Sequence, residues 1–410
     1  MIPTNSQWLI VTVKEPVMFH QTADETWLFN PNRRYIVNAN RIGVIEQFID
    51  TVSELDGASL YHRLRANQDI TGAKILVERN RERGIGDLLF LTGPLGYLHH
   101  LSGGDIEIDL MAFADRGVVL THSPLINNKC VKCGPLEYDH LRMYNYHWLV
   151  NTVTEQDTEG DQLNVYDALY QQLGFVPEDV EPKWKRPNAV LVADDFQNLD
   201  RLFQHVWTQR QIDLRRIGYF VVAPFANATI RSMNYGTWLE IIKKLATRRP
   251  VMVVGNSSLR LPTMDMSAGE FSQRVAGIGG GVFNAVDSTT IRVLMALIAR
   301  SVGVICLDSA PLYMAQALNI PAISIWGTHA PGSRIGYDKT YMDLAIWQQD
   351  ACKFSPCFAY GKFPVNKCPS GIHQACCEVT GAVTADDVLS RVDIIESANA
   401  QLGTFAAKPA

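Results

Sequence analysis

The sequence predicts an α/β protein of two doubly wound, parallel-sheet lobes facing each other across a cleft. Three observations carry this expectation. From Ala73 onward, short runs of Val, Ile and Leu alternate with longer amphipathic stretches. Many of those runs end at a Gly, Asp or Pro that opens the next stretch. The chain has 410 residues, more than the ~250–300 that one hydrophobic core supports, so at least two lobes are needed.

Residues 1–70 have a different texture. Trp8–Val13, Thr26–Phe29 and Tyr35–Asn38 are β-prone runs, broken by Pro16, Asn30-Pro31 and Asn38–Asn40. After Arg41, the residues Ile42, Ile45, Phe48, Ile49 and Val52 suit one face of a helix. A small β-rich module with one helix is expected here. The first lobe, 71–215, opens on the strand Lys74–Glu78, continues through a loop, Arg79–Gly86, and enters a helix at about Asp87. Ile106–Leu110, Val118–Leu120 and Val190–Ala193 read as further strands, and Pro182–Pro187 as a turn.

The second lobe, 216–346, starts with the strand Tyr219–Ala223. A helix over Thr237–Thr247 follows, with Leu239, Ile242 and Leu245 on one side, and then the strand Pro250–Val254. Ser288–Ser301 is an apolar helix, Val302–Leu307 a strand reaching Asp308, Pro311–Leu318 a helix and Ala322–Trp326 a strand. The tail, 347–410, holds a Cys-rich segment and an amphipathic helix over Ala385–Asn399.

Composition narrows the function classes. A hydrophobic share of 47% is enough for two cores, and a charged share of 19% argues against long disordered tails. A net charge of −5 counts against sequence-blind adhesion to DNA or an anionic membrane. Met1–Val13 lacks the basic start and apolar core of a signal peptide. The longest stretch free of Lys, Arg, Asp and Glu, Ser309–Ser333, contains Pro311, Pro321 and Pro331 and makes a poor membrane span. A cytoplasmic protein with reduced thiols and no membrane span is expected.

Four motifs sit at predicted strand ends. Gly84-Ile-Gly86-Asp87 opens a helix, where glycines admit close approach and an Asp either caps the helix or serves as a base. Its spacing does not match a dinucleotide fingerprint. Ala223–Ser232 carries Arg231, a cation able to pair with phosphate or merely solvated. Asp308-Ser309-Ala310-Pro311 follows a strand and opens a helix, which aims N–H groups at an anion or simply caps the helix. Trp326-Gly-Thr328-His-Ala-Pro-Gly332 ends the next strand.

Taken in order, the motifs resemble glycosyltransferase family 9, the heptosyltransferase family. Gly86-Asp87-Leu-Leu-Phe-Leu-Thr-Gly-Pro94 is similar to its N-terminal motif, Asp308–Ala315 to its Asp-Ser/Thr-Gly-Pro-x-His-x-Ala motif, and Gly327–Gly332, with Tyr337 trailing, to its Gly-Pro-Thr-x-Pro motif. The likeness spans about residues 73–345. It implies the GT-B fold, paired Rossmann-like domains, and an inverting transfer from a nucleotide sugar of ADP-heptose type. By that likeness Asp87 is the general base. Gly86, Arg231, Asp308, Ser309, Ala310, Thr328 and Gly332 hold the donor, and no catalytic metal is required. Three residues depart from the family pattern: Arg231 replaces Lys, Ala310 replaces Gly, and Tyr313 replaces His.

Five of the eight cysteines, Cys352, Cys357, Cys368, Cys376 and Cys377, fall on one short segment. Four of these thiolates suit a tetrahedral structural Zn or Fe; the alternative is a set of reduced, half-buried thiols. The protein-modifying heptosyltransferases of autotransporters, a branch of the same family, carry a similar C-terminal metal finger. His373 is a weaker ligand candidate. Cys130-Val-Lys-Cys133 stands alone as a CxxC pair. The aromatic run Tyr138–Trp148 reads as a helix or loop packing on the first lobe, or as an acceptor surface. Arg79, Arg81 and Arg83 are a solvated loop or a cradle for an anionic acceptor.

The partners expected are a nucleotide sugar and an acceptor hydroxyl on a glycan or lipopolysaccharide, or on a protein. A hydroxymethylated base in phage-type DNA ranks last on charge, and an oligomer is compatible with the sequence. The rival classes are a non-catalytic nucleotide-sugar-binding or assembly protein and an epimerase of the same architecture.

Overall fold

The computed structural model describes residues 8–22, 25–38, 43, 45–55, 68–79, 84–112, 114–131, 137–150, 163–226, 231–258, 265–357 and 378–401. Among its described residues the N-terminal module contains five strands, β1 (Trp8–Val13), β2 (Val17–Thr22), β3 (Glu25–Phe29), β4 (Tyr35–Asn38) and β5 (Ile49–Leu55). They form an antiparallel sheet of order β4-β1-β5 and a β2-β3 hairpin, around Val11, Val13, Phe29, Tyr35 and Val37. The helix expected beyond Arg41 is not formed among the described residues. Glu46–Phe48 is a single 3-10 turn and Ile49–Leu55 is a strand paired to β1. Its Thr and Val residues favour pleated backbone, Thr51 bonds Thr12 across the pair at 2.7 Å, and Val52 is half exposed rather than buried on a helix face. The module docks on the first lobe through Arg33–Glu137 at 2.6 Å, Arg34–Asp139, and a backbone bridge from Tyr35 to Glu137.

Among its described residues the first lobe forms a parallel four-stranded sheet of order β8-β7-β6-β9. Its strands are β6 (Ala73–Arg79), β7 (Ile106–Ala112), β8 (Asn128–Val131) and β9 (Tyr146–Val150). Helices α1 (Ile85–Phe90) and α2 (Thr92–Leu101) follow β6, and α3 (Val165–Gln172) and α4 (Ala193–Arg210) follow β9. Val118–Leu120 is a 3-10 turn instead of a strand, with Val119 and Leu120 buried beside α1. Val190–Val192 forms no strand among the described residues, and Ala193 already begins α4. That long helix escapes sequence reading because its buried stripe is narrow: Leu199, Phe203 and Val206. The aromatic run resolves into a helical turn, Tyr138–Leu141, and the strand β9.

The second lobe is a six-stranded parallel sheet of order β12-β11-β10-β13-β14-β15. The strands are β10 (Phe220–Ala223), β11 (Val251–Gly255), β12 (Val282–Val286), β13 (Gly303–Leu307), β14 (Ala322–Ile325) and β15 (Ala345–Ile346). β10, β13 and β14 are buried along their whole length, as expected when helices cover both faces of a parallel sheet. Those helices are α5 (Tyr235–Ala246), α6 (Ala268–Ile278), α7 (Ile291–Ala299), α8 (Ala310–Ala317) and α9 (Ala385–Gln401). α9 lies against α5, tied by Lys244–Asp386, Arg248–Asp393 and Arg249–Glu396.

Winding reverses at one place in each sheet, between β6 and β9 and between β10 and β13. Ligands of open α/β sheets bind at such switch points, beyond the carboxyl ends of the strands. The lobes meet there: α1 packs on α8, α4 packs on α7, and one apolar core runs through both lobes.

Candidate functional site

Asp87 is the third residue of α1. The N-cap is Gly84, in extended conformation, so Asp87 does not occupy the cap position itself. Its carboxylate folds back over Gly84, where a Cβ would collide with Oδ2. Gly86 is buried, and a Cβ on it would lie 2.5 Å from Cδ2 of Tyr313 in the second lobe. The glycine therefore lets α1 and α8 approach backbone to ring.

On the facing lobe, Asp308 leaves β13 with its side chain 6% exposed. Three side chains converge on it. Tyr313 Oη donates to Oδ1. Arg231 Nη1 donates to the Asp308 carbonyl at 3.1 Å and lies 3.8 Å from Oδ2. His329 Nδ1 lies 3.7 Å from Oδ2 and 3.1 Å from Thr328 Oγ1. Ser309 takes the N-cap position of α8 without a side-chain cap bond; its hydroxyl donates to the Leu307 carbonyl at 3.3 Å. Ala310 opens the helix, half-buried. Thr328 is buried, and its carbonyl accepts the Cys357 N–H at 3.2 Å.

Electrostatics follow from this packing. Burial, with Arg231 adding and Asp308 opposing, lowers His329 to about 4, so its ring is neutral at neutral pH. Burial and the Asp308 carboxylate push the Tyr313 hydroxyl well up, so it stays a proton donor. Cys306 sits on β13 as a buried thiol, also raised by burial.

Gly332 has a different role in the geometry. Its carbonyl accepts Asn164 Nδ2 at 2.8 Å, a bond between the lobes. A second inter-lobe cluster sits nearby. Tyr337 Oη donates to Asp167 at 2.7 Å, Lys185 Nζ donates to Asp167 at 2.9 Å, and that ammonium lies 4.0 Å from the centre of the Tyr337 ring.

Asp87, Gly86, Asp308, Ser309, Ala310, Arg231, Thr328 and Gly332 thus line the lobe junction or its immediate support. Sequence reading did not single out His329, although it lies inside the quoted Trp326–Gly332 motif. Asn164, Asp167 and Lys185 gave no local signal, because the cluster is assembled from distant segments. Cys352 and Cys357 are half-buried. Cys368, Cys376, Cys377, His373, Cys133, Arg81 and Arg83 lie outside the described residues, as do the side chains of Cys130 and Arg79. Among the described residues no three His, Cys, Asp or Glu groups gather as a metal set, and no helix is long and apolar enough to cross a membrane.

Two facing parallel-sheet lobes with this junction define the GT-B class of glycosyltransferase. Residues 209–361, which span the second lobe, match the sequence model of glycosyltransferase family 9 (heptosyltransferase), and the chain is a glycosyltransferase. The match stops short of Asp87.

Particular solved structures share the fold. A family 9 glycosyltransferase from Veillonella parvula DSM 2008 aligns with TM-score 0.56 at 12% identity, over 80% of this chain and 98% of that one. The Escherichia coli ADP-heptose lipopolysaccharide heptosyltransferase II aligns with TM-score 0.56 at 16% identity, over 80% and 99%. The iron-containing dodecameric glycosyltransferase TibC from enterotoxigenic E. coli H10407 aligns with TM-score 0.53 at 14% identity, over 96% and 92%. No curated protein matches the chain by sequence.

Proposed function

We propose that the chain transfers a heptose-like sugar from a nucleotide sugar to an acceptor hydroxyl with inversion at the anomeric carbon. The observation that carries this is the meeting of the Gly86-Asp87 helix with the Asp308–Tyr313 turn at the shared switch point. Asp87 takes the proton from the acceptor hydroxyl as that oxygen forms its bond to the anomeric carbon. The bond to the diphosphate breaks on the opposite face, and the electron pair leaves with the nucleoside diphosphate. Arg231 and the N–H groups opening α8 meet that charge, and no step requires a metal.

ADP-heptose is the favoured donor, because TibC, similar over 96% of this chain, has been solved with ADP-D-β-D-heptose. The acceptor is a hydroxyl on a glycan or lipopolysaccharide, or on a protein; nucleic acid ranks below both on net charge. Cys352 and Cys357, both half-buried, sit on a short loop hooked to the Thr328 carbonyl. With two of Cys368, Cys376 and Cys377 they supply the four sulfurs of a structural Zn or Fe site, which would hold the tail against the donor lobe. A stoichiometric metal content in purified protein is the expected result, and its absence overturns that part. The function itself is tested by mass-shift assay of a sugar-nucleotide panel against these acceptors, comparing wild type with Asp87→Asn. Loss of about 10²–10⁴ in kcat is expected. Full activity in the variant removes Asp87 from its role.

A further inference from the structure

We infer that Tyr313 is a positioning residue with two separable duties: its hydroxyl sets the Asp308 carboxylate for the donor, and its ring spaces the Asp87 helix from the donor turn. The inference rests on the function proposed above. Tyr313 lies on α8, is 5% exposed, and donates to Asp308 Oδ1. A carboxylate restrained by one donor on Oδ1, with Arg231 3.8 Å and His329 3.7 Å from Oδ2, keeps one orientation. Its ring meets the other lobe directly. It covers Gly86 so closely that a Cβ there would lie 2.5 Å from Cδ2. The same ring meets Phe90 edge-on, with centroids 4.5 Å apart. Both contacts are on α1, the helix that carries Asp87. The ring is thus the solid body between the base and the donor turn, and any change in its bulk changes their separation.

The two duties move different kinetic constants. An orienting hydrogen bond made alike in the ground and transition states acts on donor affinity. A spacing error acts on the chemical step, where ~1 Å of misplacement costs about 10²-fold. Tyr313→Phe keeps the ring and removes the hydroxyl. Donor KM and the ADP dissociation constant should rise about tenfold while kcat stays within about twofold. Gly86→Ala keeps the hydroxyl and wedges the ring from α1. Its kcat should fall about a hundredfold.

Calorimetry with ADP and steady-state kinetics with the nucleotide sugar read both variants in the full-length protein. Unchanged ADP affinity in Tyr313→Phe, or a wild-type kcat in Gly86→Ala, overturns the inference. Calorimetry needs no turnover, so the hydroxyl's part is read independently of catalysis. Wild-type protein that binds ADP and transfers no sugar overturns the proposed function alone.

Discussion

Asp308 shows how few side chains define the junction. It is touched by a phenol, a guanidinium and an imidazole from three segments, and only one of these is fully ionised at neutral pH. His329 has a consequence in acid. Its folded-state value of about 4 lies below the ordinary histidine value near 6.5, so the unfolded chain binds the extra proton first. Stability is therefore unaffected above about pH 6.5 and falls as pH drops through the window to about 4, by on the order of 3 kcal/mol. Urea melts of wild type and His329→Gln between pH 7 and 4.5 should show that slope in the wild type and lose that part of it in the variant. Equal slopes would exclude this histidine as the source. Asp87, Gly86, Asp308 and Thr328 were legible in the sequence, because each sits in a short motif at a strand end. The grip of Tyr313 on Asp308 was not, since a phenol five residues down a helix reads as core.

At the scale of elements, the pairing of α4 with α7 depends on one buried ion pair. Arg292 donates to Asp195 through Nε at 2.9 Å and through Nη2, and also to the carbonyls of Val190 at 2.9 Å and Thr121 at 3.3 Å. Both side chains are nearly excluded from water. Arg292→Leu strands the Asp195 carboxylate and should cost about 3–5 kcal/mol in denaturant melts. The double variant with Asp195→Leu should recover most of that loss, because the uncompensated charge is gone. If the double variant is as unstable as the single one, the cost lies in lost packing and carbonyl bonds instead. Strands such as β6, β10, β13 and β14 were read from their apolar runs with shifts of a residue or two. α4 and β12 were missed for opposite reasons. α4 is mostly polar, with three fully covered apolar residues, and β12 is five residues with Asn284 in the middle. β5 was misassigned because spacing alone cannot separate a short helix from a strand that completes a sheet edge.

At the scale of the whole molecule, the lobes are held by polar contacts that rim an apolar junction. The Asp167–Lys185–Tyr337 cluster and the Asn164–Gly332 bond lie together on that rim. Asp167→Ala removes the acceptor shared by Lys185 and Tyr337. Amide exchange across residues 332–336 should then quicken about tenfold, while the interior strands β10 and β13 keep their protection. Unchanged exchange there would show that this cluster does not hold the rim. Two lobes and a distinct N-terminal module were predictable from texture and length. Their docking was not, because Arg33–Glu137 and Asp167–Tyr337 join residues more than a hundred positions apart.

The position of α9 adds an order of events during synthesis. Val388, Val392 and Ile395 of this helix seal the same apolar face as Trp238, Ile242 and Val251, which precede them by well over a hundred residues. Until residues 385–401 leave the ribosome, that core of the second lobe lacks the part of its cover that α9 supplies. The N-terminal module can close on its own strands while translation continues. The second lobe completes that core only after its last helix has been made, so part of its apolar surface stays open to chaperones or other nascent chains until then.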